Sequence, residues 1–226
     1  FNIEIVSSKN TEKREKYTKH LYKKLQRNGM LQRDCDHLVR NDRVTWGSCM
    51  IGCGDADAMV TGGTRHHAAT IEKLTKVVDA RPGEIIFGLT MLVSKGRTVF
   101  VADTNVHDNP TAEQLVKIAI SSTRVARLFG FDPKVAFLSH STFGKPSTVR
   151  TKHVREAMEL MKTKKIDFDY DGEMQPDVAL NPEYKESYPF SKIVGNANIL
   201  IMPALHSASI SVKLMKTFGG ARLIGP

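Results

Sequence analysis

The stretch Lys134-Val-Ala-Phe-Leu-Ser-His-Ser-Thr-Phe-Gly-Lys145 decides most of what the sequence says about the fold. After its lysine, Lys134 to Leu138 is a short continuous apolar run. A run of that length without polar alternation reads as a strand buried on both faces. The residues after it are hydroxyls, a glycine and a base. Ile199 to Met202 repeats the pattern and is followed by Pro203-Ala204-Leu205-His206-Ser207. Ile85 to Val93 and Thr98 to Ala102 are β-rich, and Ser94-Lys95-Gly96-Arg97 between them reads as a hairpin turn.

Working outward, the remaining segments carry helical spacing. Ala112, Leu115, Ala119, Ser122, Ala126 and Phe129 trace one face. Its start is either Asn109 with Pro110 at the first helical position or Thr111 with Gln114 as a capping box. Ile71, Leu74, Val77 and Val78 mark a second helix ended by Arg81-Pro82-Gly83. Val154, Ala157, Met158 and Met161 mark a third, and Ser207 to Phe218 a fourth, stopped by Gly219-Gly220. Thr11 to Arg27 reads as a charged amphipathic helix. Asn2 to Val6 reads as a short strand, and Thr45 to Val60 as packed core with a strand near Ala58 to Val60. Strands alternating with helices predict an α/β fold, with a mostly parallel, mixed sheet and helices on both faces.

The chain has 226 residues with 33 Lys+Arg against 24 Asp+Glu, a formal charge of +9. That balance points to an anionic partner. The bases cluster in Lys13–Lys24 and Lys162–Lys165, on helix faces with few aromatics, so no nucleic-acid partner is expected. No apolar run approaches a membrane span, and no signal peptide is visible. Cys35, Cys49 and Cys53 are an odd number without paired spacing, which fits a reduced, cytoplasmic setting. The chain opens on Phe1, not Met, and closes on Gly219-Gly-Ala-Arg-Leu-Ile-Gly-Pro226, so it reads as a piece of something longer.

Ligands of α/β sheets bind beyond the carboxyl ends of the strands. Thr61-Gly62-Gly63-Thr64-Arg65 follows Val60, and Asp103-Thr104-Asn105 follows Ala102. Ser139 to Lys145 follows Leu138. Glycines, hydroxyls and bases at such ends are what a phosphate requires. Ser139 to Lys145 is not a nucleoside triphosphatase loop: a serine stands where the first glycine belongs, and Pro146 follows Lys145. Gly52-Cys53-Gly54 begins like a dinucleotide fingerprint, but Asp57 holds the third glycine position. No metal site is expected, since His66 and His67 lack partners at metal-motif spacing. Cys49 and Cys53 read as buried, unreactive thiols. Asp171 to Asp177 places three acids around a turn, with Asp177 either a helix cap or a carboxylate facing a cleft.

Six segments occur in an order that carries a resemblance. They are Gly54-Asp55-Ala56-Asp57-Ala58, Val101-Ala102-Asp103-Thr104, Asn109-Pro110-Thr111-Ala112-Glu113, Leu138 to Gly144, Asp171-Gly172-Glu173-Met174-Gln175 and Ala197-Asn198-Ile199-Leu200. Together they resemble the phosphate acetyltransferase fold, which is isocitrate dehydrogenase-like. They are most similar to the phosphotransacetylase-like C-terminal module of bacterial NADP-dependent malic enzymes. Ala179-Leu180-Asn181-Pro182 and Tyr188-Pro189-Phe190-Ser191 are especially like those enzymes.

The resemblance implies a regulatory module that binds acetyl-CoA or coenzyme A and controls malate decarboxylation without catalysis of its own. It implies ligand contacts at Thr61, Gly62, Gly63, Arg65, Asp103, Thr104, Ser139, Ser141, Thr142, Phe143, Gly144, Lys145, Glu173, Asp177 and Asn198. NADP and a divalent metal would belong to malic-enzyme domains of the same chain, outside these residues. A homo-oligomer built from dimers is implied too, with an α/β segment before Phe1 and further elements after Pro226. The alternative is an active phosphate acetyltransferase, with Asp177 or Asp103 near the thiol and Arg65 or Lys145 on the phosphate. Active members carry a Ser-Arg-Gly segment that this sequence does not reach. The family's Pro-Asn-Leu-Asp-Ala-Ala-Asn is here Pro203-Ala204-Leu205-His206-Ser207-Ala208-Ser209, so both asparagines and the acid are replaced.

Overall fold

In a computed structural model, residues 4–8 and 11–225 are described, and they fall into two units, Phe1–Ala80 and Arg81–Pro226. The first unit is helical: α1 (Thr11–Leu25), α2 (Gln32–Asn41), α3 (Arg43–Gly52) and α4 (His67–Val77). Its core joins Tyr17, Leu21, Val39, Trp46, Cys49 and Val77. Tyr17 meets Trp46 edge to face at 4.9 Å, a favourable aromatic geometry. The three cysteines are free thiols in this unit. Burial, with Cys53 and Cys35 nearby, pushes the Cys49 thiol up to about 12, and burial raises Cys35 and Cys53 as well. These thiols resist ionisation and behave as small apolar side chains.

Two expected strands do not form. Residues 4–7 have no regular structure, and residues 2 and 3 lie outside the described residues. Residues 58–60 also form no strand, and Val60 is fully exposed. A three-residue apolar stretch has no intrinsic claim to be a strand without a neighbour to pair with. α4, expected to run through Val78 toward Arg81-Pro82-Gly83, ends at Val77, because Val78 already has extended backbone angles four residues before Pro82.

The second unit is the expected α/β layer structure. Its strands are β1 (Leu89–Ser94), β2 (Arg97–Ala102), β3 (Lys134–Leu138), β4 (Asp169–Met174), β5 (Ile199–Ile201) and β6 (Arg222–Ile224), in the order β4-β3-β5-β2-β1-β6. β1 runs antiparallel to β2 and β6, while β2, β5, β3 and β4 are parallel neighbours. Successive residues face opposite layers. Phe100, Ala102, Val135, Phe137, Ile199 and Ile201 pack under α5 (Ala112–Leu128) and α6 (Lys152–Lys162). Val101, Ala136, Leu138, Leu200 and Met202 face α7 (Pro176–Leu180) and α9 (Leu205–Thr217), with the short α8 (Pro182–Lys185) beside them in the chain. Each large side chain buried this way contributes about 1.5–3 kcal/mol, which explains why these strands need no polar alternation.

Between the two possible starts of α5, the structure selects Thr111. Its hydroxyl accepts from the Gln114 amide, and the Gln114 side chain accepts from the Thr111 amide. Of the acidic segment Asp171 to Asp177, expected around a turn, residues 171–174 belong to the edge strand β4 and Asp177 to α7, and β6 is a strand that the sequence does not announce. Gly172 makes β4 possible. Its φ is +152°, and a Cβ there would stand 2.7 Å from the Phe137 carbonyl oxygen. α9 buries Ala208 and Val212 and leaves Ile210, Leu214 and Phe218 outward in an exposed row.

Candidate functional site

Because β2, β3, β4 and β5 run parallel, their carboxyl ends share one rim of the sheet. The loops from Asp103, Ser139, Gln175 and Pro203 therefore leave from that rim. Of the expected site residues, Asp103, Thr104, Ser139, Ser141, Thr142, Phe143, Gly144, Lys145, Glu173 and Asp177 lie on or beside it. Asn198 does not. It opens β5 at the opposite, amino end, where its Oδ1 accepts from the Lys134 amide at 2.8 Å and its Nδ2 donates to the Asp132 carbonyl at 2.7 Å. Asn198 clamps two strand starts together.

Asp103 is 2% exposed and has no free oxygen. Oδ1 accepts from the amides of Gly88, Asn105 and Val106 at 2.8, 2.8 and 3.1 Å. Oδ2 accepts from the His107 amide at 2.8 Å and lies 2.6 Å from His107 Nδ1. The carboxylate is thus the internal anion around which the 103–107 loop folds. Thr104 is buried, with its hydroxyl 3.0 Å from that of Thr90. Neither residue offers a polar group to a ligand in this conformation.

The 139–145 loop has an internal anion as well, borrowed from another strand. Glu173, also 2% exposed, reaches across from the end of β4. Its Oε1 accepts from Ser141 Oγ at 2.9 Å and from the Gly144 amide at 3.0 Å, while Arg155 Nε stands 4.0 Å from Oε2. Ser139 Oγ lies 3.1 Å from Ser141 Oγ, and the Phe143 amide donates to the Glu173 carbonyl at 2.7 Å. The Thr142 hydroxyl accepts from the Gln175 amide at 3.2 Å. Phe143 has φ of +47°, a left-handed conformation uncommon for a residue with a bulky side chain. Its ring packs on Phe190 at 4.8 Å and Tyr188 at 5.4 Å. So the donors that the sequence offers to a phosphate are aimed at a carboxylate of the protein itself. Lys145 and Asp177 are exposed, and Asp177 Oδ1 accepts from the Val178 amide at 2.9 Å as α7 begins with Pro176.

Thr61, Gly62, Gly63 and Arg65 belong to the first unit, in the loop between α3 and α4. The two glycines and Thr61 are exposed. Arg65 is committed within its unit: Nη1 lies 2.5 Å from Asp42 Oδ2, which also binds Lys73 Nζ. Asp42 caps α3, accepting from the Val44 and Thr45 amides. Burial alone would raise the Asp42 carboxyl, but Lys73, the Thr45 amide and Arg65 outweigh it and hold the group well below the usual carboxylate range. Among the described residues no group of histidines, cysteines and carboxylates could hold a metal, and no helix is long and apolar enough to cross a membrane.

Sequence reasoning misses Arg155, which lies mid-helix with nothing around it in sequence to distinguish it. It marks Glu173 as one of three acids around a turn, and only the resemblance gives it a ligand.

The comparisons with known proteins agree with this geometry. The family description "Phosphate acetyl/butaryl transferase" matches residues 1–226. The chain is 46% identical over 224 residues to an NADP-dependent malic enzyme of Rhizobium meliloti, covering 99% of this chain and 29% of that protein. It is 32% identical to a phosphate acetyltransferase of Acetivibrio thermocellus, covering 99% of this chain and 70% of that one. The fold superimposes on the EutD phosphotransacetylase from Staphylococcus aureus with a TM-score of 0.85, at 25% identity, over all of this chain and 69% of that one. The chain thus spans under a third of the length of the malic enzymes that it matches. A matching family description across all 226 residues, a parallel rim and a shared fold place this chain in the phosphate acetyl/butaryl transferase family.

Proposed function

We propose that this chain is a regulatory module that binds acetyl-CoA or coenzyme A and controls an NADP-dependent malic enzyme, without turning the thioester over itself. The observation that carries this reading is its 46% identity to a segment of a malic enzyme across nearly its whole length. Malic-enzyme domains of the same polypeptide would hold NADP and the divalent metal and carry out the oxidative decarboxylation of malate, in the cytoplasm. A homo-oligomer with a dimer as its unit belongs to the same proposal. The exposed row Ile210, Leu214 and Phe218 on α9 is apolar surface that such an assembly could bury.

Ser141 Oγ and the Gly144 amide would have to leave Glu173 before meeting an anion, whereas Lys145 and His140 are exposed and free to approach one. Binding would then act by moving the 139–145 loop relative to Glu173. Coupling free energies of about 1–3 kcal/mol are usual for such control.

The second reading, an active phosphate acetyltransferase, is favoured by the match to standalone enzymes of that name. The geometry weighs against two of the four residues it would use and leaves Asp177 and Lys145 exposed. Asp103 has no free oxygen to serve as a base, and Arg65 is tied to Asp42.

The test is to titrate the full-length protein with acetyl-CoA while following malate oxidation, binding heat and acetyl phosphate formation. Saturable binding with a changed malate rate and no acetyl phosphate is expected. Absence of binding overturns the regulatory reading, and acetyl phosphate production replaces it with the second.

A further inference from the structure

Behind the 139–145 loop, whose Phe143 and Gly144 form part of its wall, a cavity of about 410 Å³ lies along the edge strand β4, between α6 and the segment 190–192. Its volume falls within the range of small-ligand sites. Two features of its wall point to an occupant. The first is charge. Arg155, Lys162 and Lys192 line it from two different segments. Lys192 Nζ sits 5.9 Å from the centroid of the Tyr170 ring, and no carboxylate partner for it occurs among the described residues. The wall's carboxylates are already satisfied inward. Asp171 accepts from the Gly172 and Lys192 amides at 2.9 and 2.7 Å, and Glu173 accepts from Ser141 and Gly144. Glu159 is paired with Lys162 at 2.6 Å. The buried anions are therefore screened by backbone and hydroxyl donors, Lys192 is exposed, and Arg155 gives Nη1 to Ser147 Oγ at 2.8 Å with Nε toward Glu173, which leaves Nη2 for a ligand.

The second feature is aromatic surface. Phe190 is 63% exposed although it packs on Phe143, and Tyr170 offers a ring on the facing strand. An exposed phenylalanine beside an unpaired lysine stacked on a tyrosine suits a planar group joined to an anion. Stacking and cation–π contacts would hold the ring, and charge-assisted hydrogen bonds the anion.

We propose that this β4-edge cavity is a second ligand site that takes a nucleoside monophosphate, with the base against Phe190 and Tyr170 and the phosphate on Lys192 and Arg155. Because Phe143, Gly144 and Glu173 belong to both, the site adjoins that of the regulatory reading above and deepens it; acetyl-CoA binding without AMP binding would overturn this site alone, and AMP binding without acetyl-CoA binding that reading alone. AMP titrated into the full-length protein, by calorimetry or saturation-transfer NMR, tests it. AMP should bind saturably, and adenosine and inorganic phosphate should each bind at least tenfold more weakly. Lys192→Ala should weaken AMP at least fivefold with its thermal melt unchanged, and Phe190→Ala, which also gives up the Phe143 contact, should weaken AMP at least fivefold while the protein stays folded, with Tm lowered by only a few degrees. Absence of AMP binding overturns the site. So does equal binding of phosphate or adenosine, or AMP affinity that neither substitution moves.

Discussion

The loops 103–107 and 139–145 leave the same rim of the same sheet, and each closes around one carboxylate. They differ in where that carboxylate comes from. Asp103 belongs to its own loop and draws its donors from Gly88 and from Asn105, Val106 and His107 just after it. Glu173 belongs to β4 and serves a loop some thirty residues earlier, through a hydroxyl, one amide and a guanidinium at 4.0 Å. A carboxylate held by five local contacts is part of the fold's scaffolding. A carboxylate that bridges two elements through two hydrogen bonds can be exchanged for another anion at lower cost. The same residue chemistry therefore makes one loop a fixture and the other a candidate for ligand-driven movement.

The contrast can be broken most directly at Asp103. Asp103→Ala leaves four buried or half-buried amides and the His107 ring without their acceptor. Each unsatisfied buried donor costs about 1–3 kcal/mol, so a total loss above about 3 kcal/mol is expected even with some rehydration. For a protein of this size that is a fall of about 6–12 °C in Tm. A melt unchanged within error would mean that the 103–107 loop is no more fixed than its neighbour.

Gly172→Ala tests the bridge from the β4 side. The new Cβ would meet the Phe137 carbonyl oxygen at 2.7 Å in a conformation unfavourable to side chains, so β4 must shift against β3. Overpacking of this kind costs about 1–3 kcal/mol. Because the shift also moves Glu173, protease susceptibility of the 139–145 loop should rise along with the loss of stability. A destabilised protein with an unchanged loop would show that Glu173 does not hold it.

Much of this architecture is legible in the residues. Lys134–Leu138 and Ile199–Ile201 are buried on both faces, so hydrophobicity alone reveals them. The start of α5 is written in Thr111 and Gln114. β4 escapes because Asp169-Tyr-Asp-Gly-Glu-Met174 has the composition of a turn. It becomes a strand by pairing with β3, and the Lys192 amide, Ser141 and Gly144, all distant in sequence, satisfy its Asp171 and Glu173 carboxylates. The site is legible to the same depth. The segments after Ala102, Leu138 and Met202 lie at the rim, whereas Thr61 to Arg65 do not, because no strand forms before them; which donors are already spent depends on long-range pairing. Asn198 illustrates the limit: its motif suggests a ligand contact, yet its partners are the amide of Lys134 and the carbonyl of Asp132 at the other end of the sheet.

Asp42 in the helical unit supplies a third buried carboxylate and a check on the other two. It caps α3 as Asp103 caps its loop, and it faces cations as Glu173 does. Since its folded-state carboxyl is held below the ordinary value of about 3.9, its stabilisation is complete above that pH and is lost as pH falls below it. Asp42→Asn should cost about 2 kcal/mol at neutral pH. The difference in Tm between wild type and variant should narrow from about pH 4 downward. A difference that stays constant to pH 2 would mean that Arg65 and Lys73 contribute little, and would free Arg65 for other work.

The smallest stability effect is the most informative. In Glu173→Gln the side-chain oxygen can still accept from Ser141 and Gly144, so about 1 kcal/mol or less should be lost. The charge is gone, however, and with it the internal anion that competes for the loop. If the loop exchanges Glu173 for an anionic ligand, acetyl-CoA should bind this variant several-fold more tightly than wild type. Asp103→Asn, which neutralises the other carboxylate, should leave that affinity where it was. Equal gains in both variants would reduce the effect to a general loss of negative charge at the rim. A gain confined to Glu173→Gln would mean that the bridging carboxylate, and not the local one, sets how readily the 139–145 loop accepts a ligand. That outcome follows from where the donors sit: Asp103 is held by the loop that it folds, whereas Glu173 is held by a loop that can let go of it.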